Sequence, residues 1–225
     1  MNTLTDQYLH QKFNISEEIL KLIHDAEEVI KPEFEKLDDI TAYNQYKVLD
    51  AFQRNEISDV HFRWTTGYGY DDPGREAIER VYATIFYTDS SLVRPIIVNG
   101  THALTLTLAG ILRPGDALIY CTGASYDTLE EVIGLRGHGK GSLKDFGITY
   151  KQIELKPDGT IDLERIQESI GPRTRMCTIQ RATGYGWRKA ITIEEIKAWA
   201  AFMKRLDPNI DRKSTRLNSS HGYIS

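Results

Sequence analysis

Four short stretches of the sequence carry residue types that bind anions or stack on planar ligands. The first, residues 99–102, places Gly100 between a β-branched apolar run and an apolar helix that begins at Thr101. A glycine lets the backbone approach an anion, and the N–H groups of Thr101, His102 and Ala103 would point outward with the positive end of the helix dipole. This turn is suited to a phosphate, although such turns also form for packing reasons alone.

The second stretch brings an aromatic ring to the same edge of the predicted sheet. A strand predicted at residues 117–120 is followed by Gly123 and Tyr126, after which a short helix runs to Ile133. Because the loops that follow parallel strands meet at one edge, Tyr126 is expected near the turn that carries Gly100.

The third stretch, residues 65–76, is rich in aromatic residues, glycine and charge. Its composition excludes a buried strand and differs from that of a linker, and loops of this kind usually bind a ligand. Tyr68, Tyr70 and Arg75 could jointly hold an anion, two through hydroxyl groups and one through a bidentate guanidinium. A surface turn with aromatic packing is the alternative.

The fourth stretch, residues 180–188, follows a strand predicted at 176–180. Open α/β sheets bind ligands at the carboxyl ends of their strands. Arg181 and Arg188 flank a segment that contains Tyr185, and two guanidinium groups there suit the carboxylate or phosphate of a substrate. A structural loop with salt-bridged arginines is the alternative.

Alternating strands and helices position these stretches. The strands are predicted at about residues 95, 117, 149 and 176, and the helices at about residues 101, 127, 163 and 193. Asp162 caps the third of these helices, and Thr192 with Glu195 forms a capping box at the fourth. The alternation predicts an α/β fold with a mostly parallel sheet.

Residues 3–57, which precede this domain, are predicted to be helical. Ser16 caps a helix over residues 17–30, which Pro32 should end, and a further helix spans about residues 39–54. We hypothesise that these helices cover a subunit interface or a neighbouring domain.

Composition narrows the functional class. With 225 residues and 40% hydrophobic content, the chain can bury a sizeable core, and its formal net charge of -4 disfavours nucleic acid as a partner. No apolar run is long enough to span a bilayer, so no membrane association and a cytoplasmic location are expected. Cys121 and Cys177 fall in or beside predicted strands without metal-type spacing, which predicts buried free thiols and no metal site.

Residues 134–142 invite comparison with a phosphate-binding P-loop. The comparison fails, because Gly141 stands where Ser or Thr is required and because the segment follows a helix instead of a strand. A mobile glycine-rich loop is the expectation, with Arg136, His138 and Lys140 solvated.

Residues 211–225 have no apolar periodicity, and the first eleven resemble the translation of a sequencing adapter. We therefore expect a non-native tail, with the native protein continuing past Ile210 and this chain its N-terminal fragment. The predicted division is a helical segment at 1–58, a partial α/β domain at 59–210 and the tail.

Four motifs together resemble one family. They lie at residues 68–76, 99–104, 123–129 and 180–188. The chain resembles the methionine gamma-lyase-like proteins, also called the aluminium resistance protein family, among the fold type I pyridoxal-phosphate (PLP) enzymes of Cys/Met metabolism. The resemblance covers essentially all of residues 1–210, and it implies a truncated fold type I large domain at 59–210 that binds pyridoxal 5'-phosphate.

The resemblance also implies roles for individual residues. The expected cofactor contacts are Gly100, Thr101, His102, Tyr126, Tyr68, Tyr70 and Arg75. The turn would hold the phosphate by backbone N–H groups, Tyr126 would stack on the pyridine ring, and the aromatic loop would reach the phosphate of a neighbouring subunit's cofactor. A shared active site implies a homo-oligomer, a dimer or tetramer.

Two residues of the family pattern are absent: the aspartate that pairs with the pyridine nitrogen and the lysine that forms the Schiff base. Both are expected beyond residue 210. The resemblance therefore implies that the parent is a PLP-dependent carbon-sulfur lyase acting on a small sulfur amino acid. The 225-residue chain itself is expected to be inactive.

Three other interpretations stay open. The same cofactor could serve transamination, β-elimination or a racemase-like proton shift, because a fold does not fix the chemistry. The family's second name suggests a non-catalytic link to metal tolerance. A Rossmann-type nucleotide binder ranks third, because the first strand-helix turn lacks the required glycines.

Overall fold

The computed structural model describes residues 3–64, 72–184 and 186–206, together with the backbone of residues 211–214. The chain divides into two compact units, Met1–Arg94 and Pro95–Tyr223. The division falls between residues 94 and 95, whereas the sequence places its boundary between residues 58 and 59.

The first unit is helical, as expected. Its elements are α1 (Leu4–Phe13), α2 (Glu17–Arg54), a 3-10 turn (Asp59–Phe62) and α3 (Pro73–Phe86). Ser16 caps α2 through its side chain, and Asp72 caps α3 by accepting from the N–H of Arg75 at 3.0 Å. Helices α2 and α3 pack around Ala51, Val81 and Ile85.

Pro32 does not end a helix, so the prediction of two separate helices in this region was wrong. Residues 17–54 form one helix of 38 residues with Pro32 inside it. Proline removes one backbone hydrogen bond and crowds the preceding turn, which costs about 3 kcal/mol. The helix continues because backbone hydrogen bonds form both before and after Pro32. The ion pair between Lys36 and Glu33, at 2.7 Å, lies in the turn that follows the proline.

The second unit is an α/β layer structure. Its elements are α4 (Gly100–Ile111), β1 (Ala117–Tyr120), α5 (Asp127–Ile133), β2 (Thr149–Gln152), α6 (Leu163–Ser169), β3 (Thr174–Ile179), α7 (Ile193–Leu206) and β4 (Asp211–Ser214). The strands lie in the order β2-β1-β3-β4, and each neighbouring pair is parallel. The predicted α/β fold with a parallel sheet is confirmed.

Side chains alternate across β1 and β3 and build a core on each face of the sheet. Ile119 and Cys177 face one side, where they join Trp199 and Met203 of α7. Leu118 on the other side belongs to a second cluster, which helices α4 and α5 complete. Both faces are therefore covered by helices, as parallel sheets require.

The strand predicted near residue 95 does not form. Residues 96–98 have no strand structure, and Ile96 and Val98 are 76% and 73% exposed. A β-branched run becomes a strand only beside another strand that pairs with its backbone. None of the strands β1 to β4 pairs with residues 96–98.

The outermost strand, β4, lies on residues 211–214, the start of the segment that resembles an adapter. It pairs with β3 from Met176 opposite Asp211 to Ile179 opposite Ser214. No element was predicted here. The edge of β3 offers unpaired backbone N–H and C=O groups, which accept a following extended segment largely irrespective of its side chains.

No helix in the described parts of the chain is long and apolar enough to cross a membrane.

Candidate functional site

A cleft of about 620 Å³ opens at the carboxyl ends of β1, β2 and β3. Three segments line it: residues 122–127 after β1, 154–159 after β2, and residues of 180–189 after β3. Its volume lies within the range of roughly 300–1,000 Å³ that is typical of small-molecule sites. The cleft therefore lies where the sequence predicted ligand binding.

Backbone and hydroxyl contacts hold the three segments together. The N–H of Gly123 donates to the carbonyl of Ile153 at 2.8 Å, which ties the first segment to β2. The N–H of Gln180 donates to Thr122 Oγ1 at 2.8 Å, which ties it to the third segment. Thr122 is buried, so its hydroxyl is a structural part of the cleft floor.

Tyr126 contributes an aromatic ring to the cleft and is 38% exposed. Gly184 lies beside it, since a Cβ at Gly184 would be 3.7 Å from Cε2 of this ring. Gly184 also has a φ of +59°, a conformation that side chains rarely adopt. The loop after β3 thus approaches Tyr126 closely at a residue without a side chain.

Arg188 uses its guanidinium to bind the loop that carries it. Nη2 donates to the carbonyls of Gln180 at 3.0 Å and Ala182 at 2.7 Å, and Nη1 donates to the carbonyl of Lys189 at 3.1 Å. Burial lowers the pKa of Arg188 below its ordinary value. Three of its five N–H groups donate to backbone carbonyls of the described residues in this way.

Arg181 is exposed and also contacts backbone. Its Nε donates to the carbonyl of Ile191 at 3.1 Å, and the N–H of Ile191 donates back to the carbonyl of Arg181 at 3.1 Å. Tyr185, the third predicted substrate contact, lies outside the described residues.

The turn before α4 differs in detail from the expectation of three outward-pointing N–H groups. Asn99 caps the helix, and its Oδ1 accepts from the N–H of His102 at 2.8 Å. The N–H of Ala103 donates to the carbonyl of Asn99 at 3.1 Å, as in any helix. Asparagine is among the best helix-capping residues, which accounts for this role of Asn99. Gly100 and Thr101 are left as the backbone donors nearest to the start of the helix.

Thr101 also meets a residue that the sequence did not single out. Its hydroxyl oxygen lies 2.7 Å from that of Thr128, in the first turn of α5. The turn before α4 is therefore joined directly to the segment that begins with Tyr126. No sequence signal identifies this pair, because the two residues are far apart in the chain.

Arg75 belongs to the first compact unit, in the first turn of α3. Its Nε is buried, and it has no hydrogen-bond partner within the described residues. A buried donor of this kind is costly unless an acceptor meets it, which agrees with anion binding. Tyr68 and Tyr70, its predicted companions, lie outside the described residues.

The two cysteines are confirmed as buried free thiols. Contact with the Cys177 thiol, followed by burial, raises the pKa of Cys121 far above its ordinary range. A thiol that stays protonated is a poor nucleophile, so neither the position nor the chemistry of Cys121 suits covalent catalysis. Among the described residues no cluster of His, Cys, Asp and Glu could hold a metal ion.

Comparisons with known proteins agree on one family. Residues 19–211 match the family described as methionine gamma-lyase. In solved structures, the chain is 50% identical, with a TM-score of 0.80, to a candidate cystathionine beta-lyase involved in aluminium resistance from Listeria monocytogenes str. 4b F2365, covering 84% of this chain and 47% of that one. It is 43% identical, with a TM-score of 0.88, to a carbon-sulfur lyase involved in aluminium resistance from Clostridium novyi NT, covering 94% and 51%.

A curated relative adds to this. The uncharacterised protein YnbB of Bacillus subtilis (strain 168) is 45% identical over 176 residues, which are 78% of this chain and 42% of the relative. The chain thus spans about half the length of the relatives it matches. Its α/β fold is that of the fold type I PLP-dependent enzymes over this half. On the family match and these identities, the chain belongs to the methionine gamma-lyase family.

Proposed function

We propose that the chain is part of a PLP-dependent lyase that breaks a carbon-sulfur bond in a sulfur amino acid. The observation that supports the proposal is the cleft at the carboxyl ends of the strands, where the Tyr126 ring lies beside Gly184. The chain that contains this cleft belongs to the methionine gamma-lyase family. The names of the two bacterial lyases support the carbon-sulfur bond as the target.

The cleft fits pyridoxal phosphate in size and in the chemistry of its walls. Tyr126 offers a ring on which a pyridine can stack, which is worth roughly 0.5–1.5 kcal/mol beyond the area buried. The Ser125 hydroxyl is buried at the cleft wall, and no described residue meets it with hydrogen-bond geometry, although Tyr150 lies near it. A ligand oxygen would satisfy this hydroxyl. When bound, the cofactor supplies an electron sink for negative charge at Cα of the amino acid.

The phosphate would be held at the turn before α4. We assign its contacts to the backbone N–H groups of Gly100 and Thr101 and to the His102 ring, because the His102 N–H is engaged by Asn99. Arg75, whose buried Nε has no hydrogen-bond partner among the described residues, is assigned to the phosphate of a neighbouring subunit's cofactor, together with Tyr68 and Tyr70. This assignment requires a homo-oligomer.

The substrate carboxylate would meet the loop after β3. Arg188 keeps two N–H groups for it beyond the three that bind carbonyls, and Arg181 and Tyr185 are assigned beside it. The base that moves the proton from Cα and the carboxylate that pairs with the pyridine nitrogen are assigned to residues beyond 210. We therefore propose that the 225-residue chain alone does not turn over substrate.

The test compares this chain with a version in which residues 211–225 are replaced by the native continuation of the gene. Both are incubated with pyridoxal phosphate and with cystathionine, methionine or S-alkyl cysteines, and thiol, 2-keto acid and ammonia are measured. The proposal expects all three products from the longer protein and none from the shorter one. A keto acid without thiol would favour transamination, and thiol release by the 225-residue chain would refute its inactivity.

A further inference from the structure

The loop between β3 and α7 returns on itself, and one side chain joins its two ends. Gln180 begins the loop, and Arg188 lies close to its end. Through Nη2 the guanidinium reaches two carbonyls at the beginning of the loop, those of Gln180 and Ala182, and through Nη1 it reaches the carbonyl of Lys189. Arg188 thus makes a cross-link between segments six to eight residues apart.

Other contacts fix the two ends of the loop. The beginning is fixed by Thr122, which accepts from the N–H of Gln180. The far end is fixed by Ile191, whose N–H donates to the carbonyl of Arg181 and whose carbonyl accepts from Arg181 Nε. Between these anchors the N–H of Gly186 donates to the carbonyl of Thr183 at 3.1 Å. Most of this segment is exposed, so it has little apolar burial to hold it.

An arginine is suited to this task in a way that lysine is not. The guanidinium is planar and presents its donors in a fixed fork, so one group can satisfy carbonyls that lie in different directions. A lysine ammonium is a single point charge on a flexible stem and is more strongly hydrated. The geometry of three bonds to carbonyl oxygens therefore specifies the fork and not only the charge.

This loop places Gly184 beside the ring of Tyr126. A Cβ built on Gly184 would lie at van der Waals distance from two carbons of this ring, 3.7 Å and 3.9 Å away, and Gly184 has a positive φ of +59°. A change of loop shape would move Gly184 away from this side of the ring. The loop therefore limits the space beside Tyr126 on one wall of the cleft.

We propose that Arg188 is a positioning residue, which closes the loop of residues 180–189 and thereby holds Gly184 against Tyr126. This role adds to the assignment of its remaining N–H groups to a substrate anion. The importance of the ring for a bound cofactor rests on the proposed function, whereas the positioning is a property of the loop alone.

The test uses the 225-residue chain without any ligand. Arg188→Gln removes the fork, and Lys189→Gln is the matched control, because it removes one positive charge from the adjacent residue and leaves that residue's carbonyl in place. Amide hydrogen exchange is measured over residues 182–186, together with the nuclear Overhauser contact between the Gly184 α-protons and the Tyr126 ring. The thermal midpoint reports overall stability.

In Arg188→Gln the exchange of these amides should rise by about tenfold or more, and the contact between Gly184 and Tyr126 should be lost. The thermal midpoint should change little, because the loop adds little to the cores. Lys189→Gln should keep the exchange rates and the contact of the wild type. Arg188→Lys, which keeps the charge, should behave like Arg188→Gln and serves as the second variant if the latter does not fold.

Unchanged exchange and an intact contact in Arg188→Gln or Arg188→Lys would overturn the proposal and leave Arg188 with anion binding only. A fall in the thermal midpoint without a local change in the loop would also overturn it. Amide exchange, the nuclear Overhauser contact and the thermal midpoint are all measured without the cofactor. Failure of the lyase proposal would therefore be seen separately, in the product assay.

Discussion

The hydroxyl oxygens of Thr101 and Thr128 lie 2.7 Å apart. This contact joins the first turns of α4 and α5, each of which lies at the positive end of its helix dipole. It also links the turn assigned to the phosphate with the segment that begins at Tyr126. The two halves of the proposed cofactor site are therefore connected by a side-chain hydrogen bond.

Substituting valine at these two positions measures that connection. In a double-mutant cycle of Thr101→Val and Thr128→Val, we expect a coupling of about 0.5–1.5 kcal/mol in the free energy of unfolding, from urea denaturation. Thr107→Val, which removes a hydroxyl bonded to the carbonyl of Ala103 in the same helix, is the control and should show no coupling to Thr128→Val. Additive effects of the first two substitutions would contradict the contact.

Gly134 and Gly139 lie in the same glycine-rich loop but should respond differently to alanine. Gly134 caps α5 with a φ of +95°, and a Cβ there would lie 2.6 Å from Ser142 Oγ and 2.9 Å from Lys144 Cβ. Gly134→Ala should therefore lower the free energy of unfolding by about 2 kcal/mol or more. Gly139→Ala, with open space around it, should stay within about 0.5 kcal/mol of the wild type. Equal effects in urea denaturation would show that the clash at Gly134 is relieved.

The thiols provide a chemical measure of core opening. Cys121 and Cys177 are both fully buried, and the raised pKa of Cys121 keeps its thiol protonated at pH 8. An aromatic disulfide reagent should label neither cysteine in the folded chain and both in urea, with native labelling limited by opening of the sheet. Rapid labelling of one thiol without denaturant would contradict the buried position.

The ion pair between α1 and α2 should make the stability of the first unit depend on pH. Nε2 of His24 lies 3.0 Å from Asp6 Oδ1, and Nδ1 lies 3.2 Å from Glu27 Oε2. Glu27 and then Asp6 raise the pKa of His24 above its ordinary 6.5. The folded state therefore prefers the protonated ring, and this stabilisation is complete below pH 6.5 and is lost as the pH rises through the raised value.

Urea denaturation of the wild type and of His24→Gln at pH 5.5 and pH 8.5 tests this dependence. The difference between the two proteins should be larger at pH 5.5. Because the pKa of Asp6 is below its ordinary value, Asp6 is ionised at both pH values and does not contribute to the difference between them. A difference of the same size at both pH values would refute the role of the ion pair.

Helix ends whose capping residues lie close together in the sequence were predicted correctly. The capping box is present as predicted, with the N–H of Glu195 donating to Thr192 Oγ1 and the N–H of Thr192 donating to Glu195. Asp162 caps α6 by accepting from the N–H of Arg165. In each case the contact is made within four residues, so the sequence contains all the information that determines it.

Predictions that depended on distant partners were less accurate. Residues 96–98 have the composition of a strand, but no strand pairs with them. Pro32 is a residue type that often ends helices, but here it lies inside a helix that continues on both sides of it. In the candidate site, the sheet edge and Tyr126 were predicted from the order of elements. The contacts of Arg188 and of Thr128 were not, because each depends on how separate segments meet.

The order of the strands has a consequence for synthesis of the chain on the ribosome. Strand β1 lies between β2 and β3, and Ile179 comes 59 residues after Tyr120. At synthesis rates of up to ~20 residues per second, the edge of β1 that will bind β3 waits at least about 3 s for its partner. Once residues 149–152 have been added, β1 and β2 can pair as an incomplete sheet, whose β1 edge is exposed to aggregation and to chaperones until β3 arrives.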